Sequence, residues 1–170
     1  MFSNWIPDHY AARVECYSAD FLVSHGIRGV LFDIDNTLEP YANPTPSEKT
    51  LRYLKSLTDA GIQYGFISNN NRARVETFNE KLSAFASWKS GKPSGKALER
   101  ARLTFGLEKS QMAMIGDQVL TDVWAGKKYG ILALLTVPCC KKEAIHIKLK
   151  RLIELPFLAY YKHKHGGILQ

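Results

Sequence analysis

Gly29-Val30-Leu31-Phe32-Asp33-Ile34-Asp35-Asn36-Thr37 is the stretch on which the fold turns. Its first half is continuously apolar, as a strand buried on both faces must be. Its second half carries two carboxylates, two positions apart, where such a strand leaves its sheet. A lone strand of this kind needs parallel neighbours and crossover helices, and the flanking sequence supplies both.

Downstream, the pattern predicts a helix over 46–60. Thr45 serves as its N-cap, Pro46 takes the first helical position and Glu48 completes a capping box. Leu51, Leu54 and Leu57 form its inner face, and Gly61 ends it. A strand over 62–67 follows, broken by Ser68-Asn69-Asn70. Asn70 or Asn71 caps a helix carrying Val75, Phe78 and Leu82. Residues 85–88 read as a short strand, and Lys92-Pro93 opens a helix running to Phe105 with Ala97, Leu98 and Ala101 inward. A strand over 112–115, a short helix over 122–129 capped by Asp122, and a last strand over 131–136 complete the alternation. The expected class is α/β, a doubly wound, Rossmann-like parallel sheet.

At 170 residues the chain fits one domain, with an expected core over 28–137 and a basic extension over 138–170. Hydrophobic residues make up 45% and charged residues 23%, which argues against disorder. Asn4, Asp8, Arg13 and Glu15 interrupt the N-terminal apolar positions, unlike a secretory leader. The longest apolar stretch, 130–140, is far below the roughly 20 residues of a membrane span. A cytoplasmic location is expected. Cys16, Cys139 and Cys140 form no CxxC or disulfide framework. A cysteine phosphatase is excluded by reading: the position six after each cysteine holds Leu22, Ile145 or His146 rather than arginine.

The net charge of +7 is uneven: residues 138–170 carry 7 Lys/Arg against 2 Asp/Glu, and 1–137 carry 16 against 14. This points to a polyanionic partner or to a solvated tail that aids solubility. Residues 143–155 read as a helix with Ile145, Leu149, Leu152 and Ile153 on one face. That face is expected against the sheet. Pro156-Phe157-Leu158, with Tyr160 and Tyr161, is expected at an interface.

Four short signals fall at the carboxyl ends of four predicted strands, the edge where open parallel sheets bind ligands. Asp33 and Asp35 can both face one pocket, where an ionised Asp can attack phosphorus and a second Asp can protonate a leaving oxygen. Ser68 can donate to a phosphoryl oxygen, with nearby backbone N–H groups, and Asn69 joins it as a substrate-binding candidate. Lys92 can offset phosphate and carboxylate charge. Gly116-Asp117 allows close backbone approach beside a hard oxygen ligand of the kind magnesium prefers. Each signal alone has a bland reading as a turn, a cap or a solvated lysine; their order at one sheet edge is what carries weight. No Gly-rich nucleotide-binding loop appears.

Asp33-x-Asp35-x-Thr37, then Ser68, then Lys92, then Gly116-Asp117-x-x-x-Thr121-Asp122 resembles the four motifs of the haloacid dehalogenase superfamily of phosphatases. The resemblance spans about 30–136. It implies Asp33 as nucleophile and magnesium ligand, and Asp35 as acid/base that also lends its carbonyl to the metal. It implies Ser68 and Lys92 on the phosphoryl oxygens and Asp117 as the remaining protein ligand, with Mg2+ as cofactor. Asp122 is left open between the metal shell and a capping role. Neither 38–62 nor 69–92 has room for an inserted cap domain, so the site should be open.

The capless form is similar to the YqeG-type phosphatases of subfamily IIIA, and through them to the mitochondrial phosphatidylglycerophosphate phosphatase. That implies an anionic phospholipid substrate in phospholipid biosynthesis. The basic tail (Lys141, Lys142, Lys148, Lys150, Arg151) would then hold the protein peripherally against a membrane. Alternatives are a capless phosphatase of soluble sugar phosphates, nucleotides or phosphoproteins, or a basic nucleic-acid-binding module. A receiver domain is disfavoured by Ser68 at the end of the second strand. The sequence does not fix the oligomeric state.

Overall fold

A computed structural model describes residues 2–140 and 145–170. Six strands form one parallel sheet: β1 (His9–Ala11), β2 (Gly29–Phe32), β3 (Gln63–Ile67), β4 (Phe85–Ser87), β5 (Met112–Gly116) and β6 (Leu132–Thr136). Their order is β1-β6-β5-β2-β3-β4, with every pairing parallel. From β2 the chain winds through β3 to β4 on one side, then crosses back to β5 and β6 on the other, where β6 lies beside the N-terminal β1. The switch point therefore lies between β2 and β5, where the loops leaving two neighbouring strands diverge and open a crevice.

The period of two along each strand sorts side chains between two helical layers. Val30, Phe32, Phe66, Ala113 and Ile115 join the core under α1 (Ala19–Ser24), α2 (Glu48–Asp59) and α3 (Arg72–Asn79). Leu31, Ile67, Met112 and Met114 join the opposite core under α4 (Lys96–Phe105) and α5 (Trp124–Tyr129). A third cluster, with Tyr10, Ala133, Leu135, Phe157 and Tyr161, sits beneath α6 (Ile145–His165). Among the described residues no cap domain is inserted. One helix lies between β2 and β3, and one between β3 and β4.

Several element boundaries differ from expectation, each for a local reason. The cap of α2 is Ser47, whose Oγ accepts from the Thr50 N–H at 3.3 Å, and not Thr45. Glu39, from the loop after β2, accepts from the Ser47 N–H at 2.8 Å and from the Thr50 hydroxyl at 2.6 Å. It does the work expected of Glu48, so Pro46 lies in the approach to the helix. Lys92-Pro93 does not open α4, which begins at Lys96. Its main chain is instead held by Asn69, whose Oδ1 accepts from the Lys92 N–H at 2.9 Å. Asp122 is not a helix cap: it lies inside a π turn, Val119–Val123, that leads into α5.

The tail reverses both of its expectations. Helix α6 runs through Pro156, despite an interior proline costing about 3 kcal/mol. Burial of Phe157 and Tyr161 offsets that cost: Phe157 packs edge-on to Trp5, and the Tyr10 N–H donates to the Tyr161 hydroxyl at 3.1 Å. The face expected against the sheet is turned outward, with Ile145 86% and Leu149 and Leu152 each 62% exposed. Arg151 and Glu154 point inward in its place. The backbone then returns to the sheet edge, where the Leu169 N–H donates to the Tyr10 carbonyl. The sheet thus reaches beyond the expected 28–137 span through β1, and an isolated bridge ties Ala11 to Leu169. Lys141 and Lys142 lie outside the described residues. Among the described residues no helix is long and apolar enough to cross a membrane.

Candidate active site

The site forms where β2, β3, β4 and β5 end. Asp33 follows β2, Ser68 follows β3, Lys92 follows β4, and Asp117 follows β5. All four are buried. Backbone pairing carries the chain into the site, since the Asp33 N–H donates to the Ile115 carbonyl at 2.9 Å.

Lys92 is the hub. Its ammonium donates to Asp33 Oδ1 at 2.5 Å and to the Ile67 carbonyl at 2.7 Å, and it pairs with Asp122 Oδ1 at 2.7 Å. Burial works against its charge, but the Asp122 and Asp33 carboxylates outweigh that and hold it above the usual lysine range. The lysine is therefore a fixed cation, as phosphoryl transfer requires. Gly116 makes the pairing possible. A methyl group there would overlap the Asp122 carboxyl carbon, so the group that closes on this glycine is a side chain of its own loop.

Asp33, Asp117 and Asp122 each present a carboxylate oxygen within 4.8 Å of the others. Burial, followed by the Asp122 and Asp117 charges, pushes Asp33 well above the usual carboxylate range, with Lys92 opposing. Burial likewise raises Asp117 to about 7, against the pull of Arg151. Three buried carboxylates facing two cations leave negative charge uncompensated in a low-dielectric pocket. An all-oxygen donor set of this kind fits a hard divalent cation. Asp33 and Asp117, with Asp122 beside them, are the side chains that would hold it.

Asp35 stands apart from this group. Its Oδ2 accepts from Asn70 Nδ2 at 3.0 Å, and its Oδ1 accepts from Arg74 Nε at 2.9 Å. Anything it offers a cation at the cluster must come from its main-chain carbonyl. Ser68 Oγ accepts from the Asn70 N–H at 3.1 Å, which leaves its hydroxyl proton to aim elsewhere. The Asn69 side chain is taken up by Lys92 and by the Ser90 hydroxyl, so it shapes the lysine loop.

Thr37, Arg74, Arg151 and Glu154 are given no site role by the motif reading. Thr37 Oγ1 donates to Asp117 Oδ1 at 3.1 Å. Arg74 reaches Asp35 from the first turns of α3. Arg151, on α6, donates to both the carboxylate and the main-chain carbonyl of Asp117, and Glu154 beside it accepts from the Leu120 N–H at 3.0 Å. Thr37 was visible as part of its motif, and Arg74 as a cation three residues past a helix cap. Arg151 depends on how a helix 34 residues away docks.

Comparison with known proteins places the chain in a family. The family described as HAD-hyrolase-like matches residues 89–137. The chain is 31% identical over 160 residues to a Bacillus subtilis protein named "Probable phosphatase YqeG", covering 94% of this chain and 93% of that one. It is 27% identical over 157 residues to the Arabidopsis thaliana phosphatidylglycerophosphate phosphatase 1, chloroplastic/mitochondrial. That match covers 85% of this chain but 44% of the plant protein. Among solved structures, the cobalt-bound deoxy-D-mannose-octulosonate 8-phosphate phosphatase of Haemophilus influenzae superposes with a TM-score of 0.55 at 16% identity, covering 81% of this chain and 90% of that one. CbbY of Rhodobacter sphaeroides superposes with a TM-score of 0.54 at 13% identity, covering 69% and 90%. Both structural likenesses speak to the fold.

Proposed function

This chain belongs to the haloacid dehalogenase superfamily of hydrolases and to its YqeG-type phosphatases, and from that membership we infer that it hydrolyses phosphomonoesters through an aspartyl-phosphate on Asp33. The observation that carries the reading is the clustering of Asp33, Asp117 and Asp122 at the switch point of the sheet, with Lys92 paired to Asp33 and Asp122. The Asp33 carboxylate attacks phosphorus while Asp35 gives a proton to the departing ester oxygen. Asp35 then takes a proton from the water that hydrolyses the acyl-phosphate. Lys92, anchored by Asp122 and the Ile67 carbonyl, steadies Asp33 and the phosphoryl oxygens, with the Ser68 hydroxyl as a further donor. Asp33 and Asp117 would hold a magnesium ion, which when bound would supply the charge neutralisation that a dianionic phosphoryl group needs. Asp33→Asn keeps the shape of the site and removes the nucleophile. Phosphate release should fall to background, and retained turnover would overturn the mechanism.

For the substrate, the proposal is a phosphate on an anionic lipid headgroup, phosphatidylglycerophosphate. Three observations support it: the plant relative's name, the lack of a cap that would enclose a small free substrate, and the outward face of α6. That face sets Ile145, Leu149, Leu152 and Ile153 in solvent, with Lys148 exposed among them, a combination suited to an anionic interface. The protein would then work at the cytoplasmic face of a membrane. The deciding measurement is phosphate release, with magnesium, from phosphatidylglycerophosphate in mixed micelles against sugar phosphates, nucleotides and phosphopeptides. Good turnover of soluble esters with none of the lipid would end the lipid reading and leave the phosphatase.

A further inference from the structure

Asp35 makes its contacts away from the carboxylate cluster, and what holds it there is an arginine outside every motif read from the sequence. Arg74 sits on α3, three residues past the Asn71 cap. Its Nε donates to Asp35 Oδ1 at 2.9 Å, and its Nη2 stands 2.8 Å from the same oxygen. Its Nη1 donates to the Pro44 carbonyl at 2.8 Å, and the guanidinium lies over the Phe78 ring at 5.5 Å from the centroid. Phe78 is itself fully buried. The arginine is thus braced from three sides, with its side chain 9% exposed against 19% for Asp35. Asn70 holds the other Asp35 oxygen. Such a pair is little screened by solvent, and its geometry is over-determined in a way that surface ion pairs are not.

We propose that Arg74 is a positioning residue for the acid/base carboxylate: it fixes Asp35 beside α3 and stabilises the charge that appears there as the proton leaves. This rests on the reading of Asp35 as the acid. In the first half-reaction the bond from Asp33 oxygen to phosphorus forms and the bond from phosphorus to the ester oxygen breaks. The Asp35 proton goes to that oxygen, and an alcohol departs. Negative charge therefore develops on Asp35 during the step, where a preorganised guanidinium acts on the transition state more than on the ground state. The benefit must grow with the need for the proton. An ester with a good leaving group departs almost unaided, whereas a poor one depends on the acid.

The test is a leaving-group comparison with magnesium, using p-nitrophenyl phosphate and phenyl phosphate on wild type, Arg74→Gln, Arg74→Lys and Asp35→Asn. Arg74→Gln should lose about 100-fold in kcat/KM, which reads the leaving-group step alone, on phenyl phosphate and under about tenfold on p-nitrophenyl phosphate, within the range general acid catalysis supplies. Arg74→Lys, which keeps the charge and loses the fork, should fall between and carries the test should the glutamine variant fail to fold. Equal losses on both esters would reduce Arg74 to a structural brace and overturn the inference. Asp35→Asn should show the same leaving-group signature. Without it, the acid role of Asp35 fails and Arg74's falls with it. Wild-type protein inert on both esters would instead count against the phosphatase proposal and end both.

Discussion

At the scale of single residues, the site is built by close approach as much as by charge. Gly116 is where this is sharpest, because the Asp122 carboxyl carbon occupies the space a side chain would need. Gly116→Ala should therefore displace Asp122, free one end of Lys92 and let the ammonium drift from Asp33. Overpacking of this kind costs about 1–3 kcal/mol, and a misaimed phosphate-binding cation costs at least about tenfold in kcat. Thermal melting and phosphate release would read the two losses separately. An unchanged kcat would mean that Asp122 does not set the lysine. The motif residues were legible because each lies at the end of an apolar strand, where local pattern and chemistry coincide. The partners that aim them were less so. Asp122 read as a helix cap because a carboxylate before a short helix has that role by default, and the π turn that carries it leaves no mark in hydrophobic spacing.

At the scale of elements, the buried strands were plain and the tail was not. Strands β2, β5 and β6 announce themselves by apolar runs, and β3 by one interrupted only by Gln63, whereas β1 has three residues and becomes a strand only because β6 lies beside it. Helix α6 was misoriented for a physical reason. Its apolar residues fall on two stripes, and spacing alone does not say which one meets the sheet. Tyr161 decides, because its hydroxyl accepts from the Tyr10 N–H in β1 and its ring is buried with Phe157. Tyr161→Phe keeps the ring and removes the acceptor, leaving a buried donor without its partner at a cost of about 1–3 kcal/mol. Hydrogen exchange should show the loss first at the Tyr10 amide and along α6. A variant with wild-type melting and unchanged exchange at Tyr10 would mean that the second half of α6 does not anchor to this edge.

At the scale of the whole molecule, stability and function pull against each other at one place, and pH should reveal it. The folded protein holds Asp117 at about 7 and Asp33 well above its usual range, each ordinarily 3.8 when exposed. A group whose folded value lies above its unfolded one contributes stability that is complete below the unfolded value and is lost as pH rises through the folded one. Without divalent cation, the melting temperature should thus fall as pH rises from about 5 to about 8, as the pocket takes on charge it cannot balance. Histidines titrate in the same window, but His9, held below 6.5 chiefly by burial, acts with the opposite sign and stabilises toward higher pH. Asp117→Asn separates the two, since it should flatten the decline without touching the histidine. Magnesium favours the ionised carboxylates, so it should raise the melting temperature more at pH 8 than at pH 5, and binding to the folded form alone sets the size of that rise. A metal-free protein that melts higher at pH 8 than at pH 5, or a magnesium effect indifferent to pH, would mean that the three aspartates do not form one electrostatic unit. The same crowding of carboxylates that weakens the empty fold is what gives a divalent cation and a phosphoryl group somewhere to bind.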